Sequence, residues 1–175
     1  YDDDPASTDD FHSHGTHVAG IMNSTDATYR GIAYGSTRAV NLKAAFKASD
    51  GQGYMFDSDA MAAVQWGLTS AVMHVINLSF GADATSDDSD YVRFWDAVVD
   101  DRGVLAVIAA GNSGTKQGAV NEPGILWNGL SVANVYDHAT IGRSDDTISS
   151  SSSRGPTQGG RKKPAVEREQ ECERV

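Results

Sequence analysis

An α/β fold, a parallel sheet with helices on both faces in three layers, is what this sequence predicts. Three observations predict it. Short apolar runs of strand type alternate with helical patterns of about a dozen residues, the signature of βαβ units with right-handed crossovers. Residues 104–110 (VLAVIAA) are wholly apolar, as expected of a parallel strand buried on both faces. Polar, glycine-containing punctuation follows Phe80 and Ala110, at the carboxyl ends of predicted strands, where sites form in such sheets.

The elements follow in chain order. The first ten residues hold five aspartates with Pro5, Ser7 and Thr8, which is loop chemistry. Next comes FHSHGTHVAGIM at 11–22, where Thr16 is the expected cap of a short helix and small residues let that helix lie close to a sheet. Residues 39–46 (AVNLKAAF) read as a strand, and Asp50-Gly51-Gln52-Gly53 as a turn. From Asp59 the apolar positions Met61, Val64, Leu68 and Val72 recur at helical spacing, with Asp57, Ser58 or Asp59 as cap. Residues 74–80 (HVINLSF) form a strand, and 86–90 a polar loop. Tyr91, Phe94, Trp95 and Val98 mark a second amphipathic helix, stopped at Gly103. After the apolar run at 104–110 and a loop holding Pro123 and Gly124, residues 130–135 and 147–153 read as two more strands.

Composition narrows the function. The 175 residues suit one domain large enough for a real core. A net charge of -10 and a pI of about 4.7 argue against nucleic acid and anionic membrane surfaces as partners. No apolar run reaches spanning length, and the acidic start is no signal peptide. The single cysteine, Cys172, excludes an internal disulfide. Acid usage is lopsided: of the 24 acidic residues only five are glutamate, and four of those (Glu167, Glu169, Glu171, Glu173) crowd the end. The organisation expected is therefore a body at 1–166 and a divergent charged tail at 167–175.

Chemistry concentrates at His12, His14 and His17. An imidazole held in one orientation at a helix start suits a general base. The same three residues also suit a metal-binding tract, or a surface loop with incidental histidines.

Three further segments decide between these readings. HGTHVAG at 14–20, VINLSFG at 75–81, AAGNSG at 109–114 and SSRGPTQGGRKKP at 152–164 resemble, in this order, the motifs of the subtilisin-like serine peptidases (subtilases). The resemblance implies a subtilisin-like fold and endopeptidase activity on a polypeptide bound as an added β-strand. It makes His14 the triad histidine, His17 a structural, buried imidazole, and Asn112 the oxyanion-hole amide donor. Ser79, Phe80 and Gly81 would flank the substrate on one side and Gly51, Gln52 and Gly53 on the other. Ala109, Ala110 and Gly111 would wall the pocket for the residue preceding the scissile bond, a pocket whose small lining suggests large apolar or aromatic side chains. No cofactor is implied for catalysis. Structural calcium is, with the 23–26 loop and the aspartates before His12 as contributors, and so are secretion and a monomeric state.

The pattern also breaks. Chain order in the family is Asp, His, Ser. No D-[ST]-G segment precedes His14, Asp9 and Asp10 lie too close to it to serve, and no GTS-type serine turn is present. The expectation is a subtilase domain truncated at both ends, with a frame change or junction near residues 165–166, and inactive alone. A helix lost with the serine would leave residues 104–110 uncovered on one face. The alternative is a non-catalytic relative that keeps the cleft as a peptide-binding module.

Overall fold

A computed structural model describes residues 7–36 and 38–169, the last four as backbone only. The early aspartates Asp2, Asp3 and Asp4, together with Glu171, Cys172 and Glu173, lie outside the described residues. The chain divides into two compact units, Tyr1–Val72 and Met73–Val175.

The first unit begins with α1 (His14–Asn23). Its cap is not Thr16. The residue at the cap position is Ser13, in the left-handed region at φ 72° and without a side-chain cap bond. Asp10 does the capping instead: its carboxylate accepts from the amides of His12 (3.0 Å), Ser13 (2.7 Å) and Thr16 (2.7 Å). Those amides have no partner inside the helix, so a carboxylate there satisfies them and complements the helix dipole. The close packing expected of α1 is also corrected, because none of its residues is buried and an added Cβ at Gly20 would meet nothing within 4 Å. The close approach lies at its other end, where Gly31 runs so near the backbone of Met22, Asn23 and Ser24 that no Cβ fits.

Of the strand expected over 39–46, only β1 (Phe46–Lys47) forms, pairing antiparallel with β2 (Gly53–Tyr54). A strand exists only where a partner completes its hydrogen bonds, and residues 39–45 find no partner strand among the described residues. Phe46 packs on Tyr54 and Phe56, with ring centroids 6.3 and 5.5 Å apart. The turn between the strands places Gly51 at φ 83°, and Asp50 holds it by accepting from the Gln52 amide and the Tyr54 hydroxyl. The helix α2 (Asp57–Ser70) follows, with no side-chain cap but with Asp57 and Asp59 in its first turn. Ala60, Val64 and Gly67 are its buried positions. Val72, expected on the apolar stripe, lies beyond its end and is exposed.

The second unit is a five-stranded sheet. β3 (Val75–Leu78), β4 (Leu105–Ala109) and β5 (Leu130–Tyr136) run parallel in that spatial order. Between the first two comes α3 (Asp90–Arg102), capped by Ser89 and, as its sequence indicated, ended by Gly103, here at φ 62°. The α3 face bearing Tyr91, Val92, Trp95 and Val98 is buried. Trp95 is its hub, 1% exposed and packed on Phe80, Tyr91 and Phe94.

The sheet is not uniformly parallel, since β6 (Thr147–Ile148) joins β5 antiparallel. The carbonyls of Val132 and Asn134 accept from Ala110 and Ser149, while that of Ser131 accepts from Ala165. Carbonyls alternate sides along a strand, so β4 and β6 share one edge of β5 and β7 (Val166–Glu169), parallel to it, takes the other. The change of composition read at 166 thus coincides with the first residue of a paired strand.

Nor is β4 buried on both faces. Ala106 and Ile108 are buried, but Leu105 is 44% exposed, and on β3 Val75 is 58% exposed. On these strands buried positions alternate with exposed or half-buried ones, so one face is packed and the other is not. The strand expected over 147–153 stops at Ile148 because the following serines take over the backbone's partners: Ser152 Oγ accepts from the Asn134 amide and Ser153 Oγ from the Ser113 amide, both at 3.0 Å. Among the described residues no helix is long and apolar enough to cross a membrane.

Candidate functional site

The predicted site residues fall into two sets, one in each unit. In the first, α1 begins at His14 and Asp10 fixes that beginning. His14 is exposed, and its ring meets that of His12 edge-on at 6.3 Å. The His12 ring in turn lies 3.3 Å from where a Cβ on Gly53 would stand, so glycine is what allows the contact. This unit therefore brings His12, the neighbour of His14, against Gly53; Gly51, Gln52 and Gly53 are all exposed. An exposed strand end without side-chain bulk lets a foreign backbone approach. His17, expected to be buried, is exposed; with no residue of α1 buried, nothing encloses it.

In the second unit, the carboxyl ends of β3 and β4 carry the other segments. Ser79 and Phe80 are half-buried and Gly81 exposed. Ser79 Oγ accepts from Asn77 Nδ2 at 2.9 Å, and Phe80 rests on Trp95. Across from them Ala109 is half-buried, Ala110 buried and Gly111 at φ 105°, a conformation that requires glycine. Asn112 follows, exposed, its carboxamide without a hydrogen-bond partner among the described residues. Its two neighbours are both tied down. The Gly111 carbonyl accepts from the Ser153 amide at 2.9 Å, and the Ser113 amide donates to Ser153 Oγ. A donor that is free while its backbone is fixed from both sides is what stabilisation of a developing oxyanion needs.

Sequence reasoning missed two residues here, Asn121 and Glu122. Ala82 and Glu122 exchange backbone hydrogen bonds at 3.0 and 2.9 Å, and the Asn121 amide donates to the Ala110 carbonyl at 2.9 Å. This segment thus joins the exits of β3 and β4. Asn121 Oδ1 accepts from Ser113 Oγ (3.1 Å) and Ser153 Oγ (3.3 Å). No motif carries these residues. Only the Pro123-Gly124 turn signal beside them marks the place.

A second cluster lies at the 157–163 loop. The Asp87 carboxylate accepts from the Thr157 hydroxyl, the Gly159 amide and Arg161, whose guanidinium pairs with it at 3.1 Å. Burial pushes the Asp87 pKa up, but these donors outweigh it and hold the carboxyl below its usual range. Arg161 also stacks 3.9 Å above the Trp127 ring. Nearby, burial lowers the Lys163 pKa, while its ammonium donates to the Gly129 carbonyl at 2.8 Å.

Neither metal reading gains a ligand set. Among the described residues no three His, Cys, Asp or Glu side chains converge, which counts against the His12, His14 and His17 tract. Asp26, the acid of the 23–26 loop, spends one oxygen on the amides of Thr28 and Tyr29, and Asp10 is committed to α1.

Comparison with known proteins agrees with the motifs. The model of the Subtilase family (Peptidase_S8) matches residues 1–169. Serine protease AprX of Bacillus subtilis (strain 168) is 30% identical over 166 residues, 90% of this chain and 37% of its own length. Subtilisin of Bacillus sp. (strain TA39) is 36% identical over 129 residues, 71% of this chain and 29% of its own. The chain thus spans about a third of the length of the curated relatives it matches. Among solved structures, the self-cleaved protease domain of PatA superposes with a TM-score of 0.65 at 25% identity, covering 82% of this chain and 49% of that one. The S41 psychrophilic protease gives 0.51 at 28% identity, covering 67% and 39%.

Proposed function

This chain belongs to the subtilase family, and from that premise we propose that it serves serine-type endopeptidase chemistry on protein substrates bound as an extended strand. In this reading His14 takes the proton of a serine hydroxyl and returns it to the leaving amine, and Asn112 donates to the oxyanion. Residues 79–81 and residues 51–53 each offer exposed backbone to an extended substrate, and Ala109, Ala110 and Gly111 wall the pocket for the residue before the scissile bond. The observation that carries the proposal is the Asn112 carboxamide, without a hydrogen-bond partner among the described residues and set between two backbone groups bonded to Ser153. The chemistry draws on side chains and calls for no cofactor. Extracellular localisation and a monomeric state belong to the same proposal and rest on the family.

The 175-residue polypeptide holds neither a D-[ST]-G aspartate ahead of His14 nor a GTS-type serine turn, so by itself it is expected to cleave nothing. Hydrolysis of peptide anilides by this polypeptide and by the product of its whole gene tests both statements. The whole-gene product should cleave, and Asn112→Ala should lower kcat by about 10²–10³-fold, a magnitude taken from a subtilisin rather than from this structure. A whole-gene product that binds peptides without turnover would replace catalysis by peptide binding. Labelling of the 175-residue chain by a fluorophosphonate, lost in His14→Ala, would overturn its inactivity.

A further inference from the structure

Arg154 and Lys163 carry charges that the proposed chemistry does not use. Both line a cavity of about 220 Å³ whose apolar wall comes from Ala133 of β5 and Ile148 of β6. Gly155 brings the two cations together, since it runs so near the Lys163 backbone that no Cβ fits. A guanidinium has five N–H groups to place. One on Arg154 Nη2 reaches the Ile148 carbonyl, at 3.4 Å, while Nε is buried and without a partner among the described residues. The Lys163 ammonium gives a single bond, to the Gly129 carbonyl. Among the described residues no carboxylate lines the cavity or pairs with either cation. Asp96 favours the Lys163 charge, but burial and the Arg161 charge outweigh it. Charges drawn part-way out of water need a counter-charge in contact, and this one is missing.

We propose that the cavity binds a small oxyanion, a phosphate or a carboxylate, held by the planar fork of Arg154 and the ammonium of Lys163. The fork offers parallel N–H groups to two oxygens of one anion, and the ammonium adds a compact point charge beside it. A donor set without an acidic member selects for negative charge, and the apolar wall leaves those donors as the groups that orient the ligand. Ser153 also lines the cavity, so its amide, with that of Gly155, reports occupancy.

The test is a titration of the ¹⁵N-labelled 175-residue chain with sodium phosphate, sodium acetate and sodium chloride, at constant pH and matched ionic strength. Phosphate or acetate should move the Ser153 and Gly155 amides along a saturable curve, and chloride should not. Tighter binding of phosphate identifies a tetrahedral ligand, and tighter binding of acetate a planar carboxylate. Arg154→Gln should raise the half-saturating concentration at least about tenfold, the loss of one charged hydrogen bond. Lys162→Gln, which removes an exposed charge from the same segment, should leave it unchanged. In the wild type the bound anion should also raise the urea midpoint above its value in chloride, a reading that holds even if Arg154→Gln fails to fold. Shifts and midpoints no different from those in chloride would reduce the effect to screening and overturn the proposal. So would an equal weakening in Lys162→Gln and Arg154→Gln, which would assign the anion to general surface charge.

Discussion

The Thr16 amide donates to the Asp10 carboxylate at 2.7 Å, across six residues and the first turn of α1. This bond, with those from His12 and Ser13, ties the loop before His14 to the helix that His14 begins. Burial alone would raise the Asp10 pKa. The amide and side chain of Thr16 and the amides of Ser13 and His12 outweigh it and hold the carboxyl at about 2, below the ordinary 3.8. A depressed folded-state pKa contributes stability that is present above the unfolded value and lost as pH falls through the folded one. The Thr16 and Ser13 amide resonances should therefore titrate with a midpoint near 2, and α1 should fray from its His14 end over the same range. In Asp10→Asn both titrations should vanish. A midpoint at the ordinary carboxylate value would mean that the cap does not form in solution.

Asp87 plays the corresponding part for the 157–163 loop, which reaches it from 70 or more residues away through Thr157, Gly159 and Arg161. Truncation leaves the Gly159 amide and the guanidinium without their acceptor. Asp87→Ala should lower unfolding stability by about 1–3 kcal/mol, read from the urea midpoint. Asp87→Asn, which keeps one acceptor oxygen, should lose less. Because its pKa is also depressed, the wild-type advantage over Asp87→Ala should shrink as the solution is acidified below the ordinary carboxylate value. An unchanged midpoint in Asp87→Ala would show that the loop is held by Arg161 on Trp127 instead.

What could be read from the sequence was what neighbouring residues decide. The core of α3 follows from Tyr91, Trp95 and Val98 on one stripe and its end from Gly103, and β3, β4 and β5 from short apolar runs between turns. What failed depended on partners far along the chain. Residues 39–45 have strand composition and, among the described residues, no strand to pair with. Residues 149–153 lose their ladder to hydroxyls that serve Asn134 and Ser113. Asp10 caps a helix from outside the usual cap position, where no spacing rule looks for it. On the site side, the motifs singled out His14, Asn112 and the glycine-bearing segments as candidates, since each sits on a strand exit, a tight turn or a helix start with a fixed local pattern. Asn121 had no such pattern, because its place between Gly81 and Gly111 arises only when two strand exits meet a third segment.

Ser89 links that third segment to α3. Its Oγ accepts from the Val92 amide at 3.2 Å, capping the helix, and donates to Glu122 Oε2 at 2.8 Å. Two roles on one hydroxyl separate by substitution. Ser89→Ala should cost about 0.5–2 kcal/mol through the cap and should also release Glu122. Ser89→Asp keeps a capping oxygen but sets a second carboxylate against Glu122, so it should restore helix stability at neutral pH only in combination with Glu122→Gln. Denaturant midpoints of Ser89→Ala, Glu122→Gln and the double variant measure the coupling, expected at about 0.5–1.5 kcal/mol for one side-chain hydrogen bond. Additivity within error would leave Ser89 as a helix cap alone, and residues 121–122 would then be held by the Ala82 and Ala110 backbone bonds.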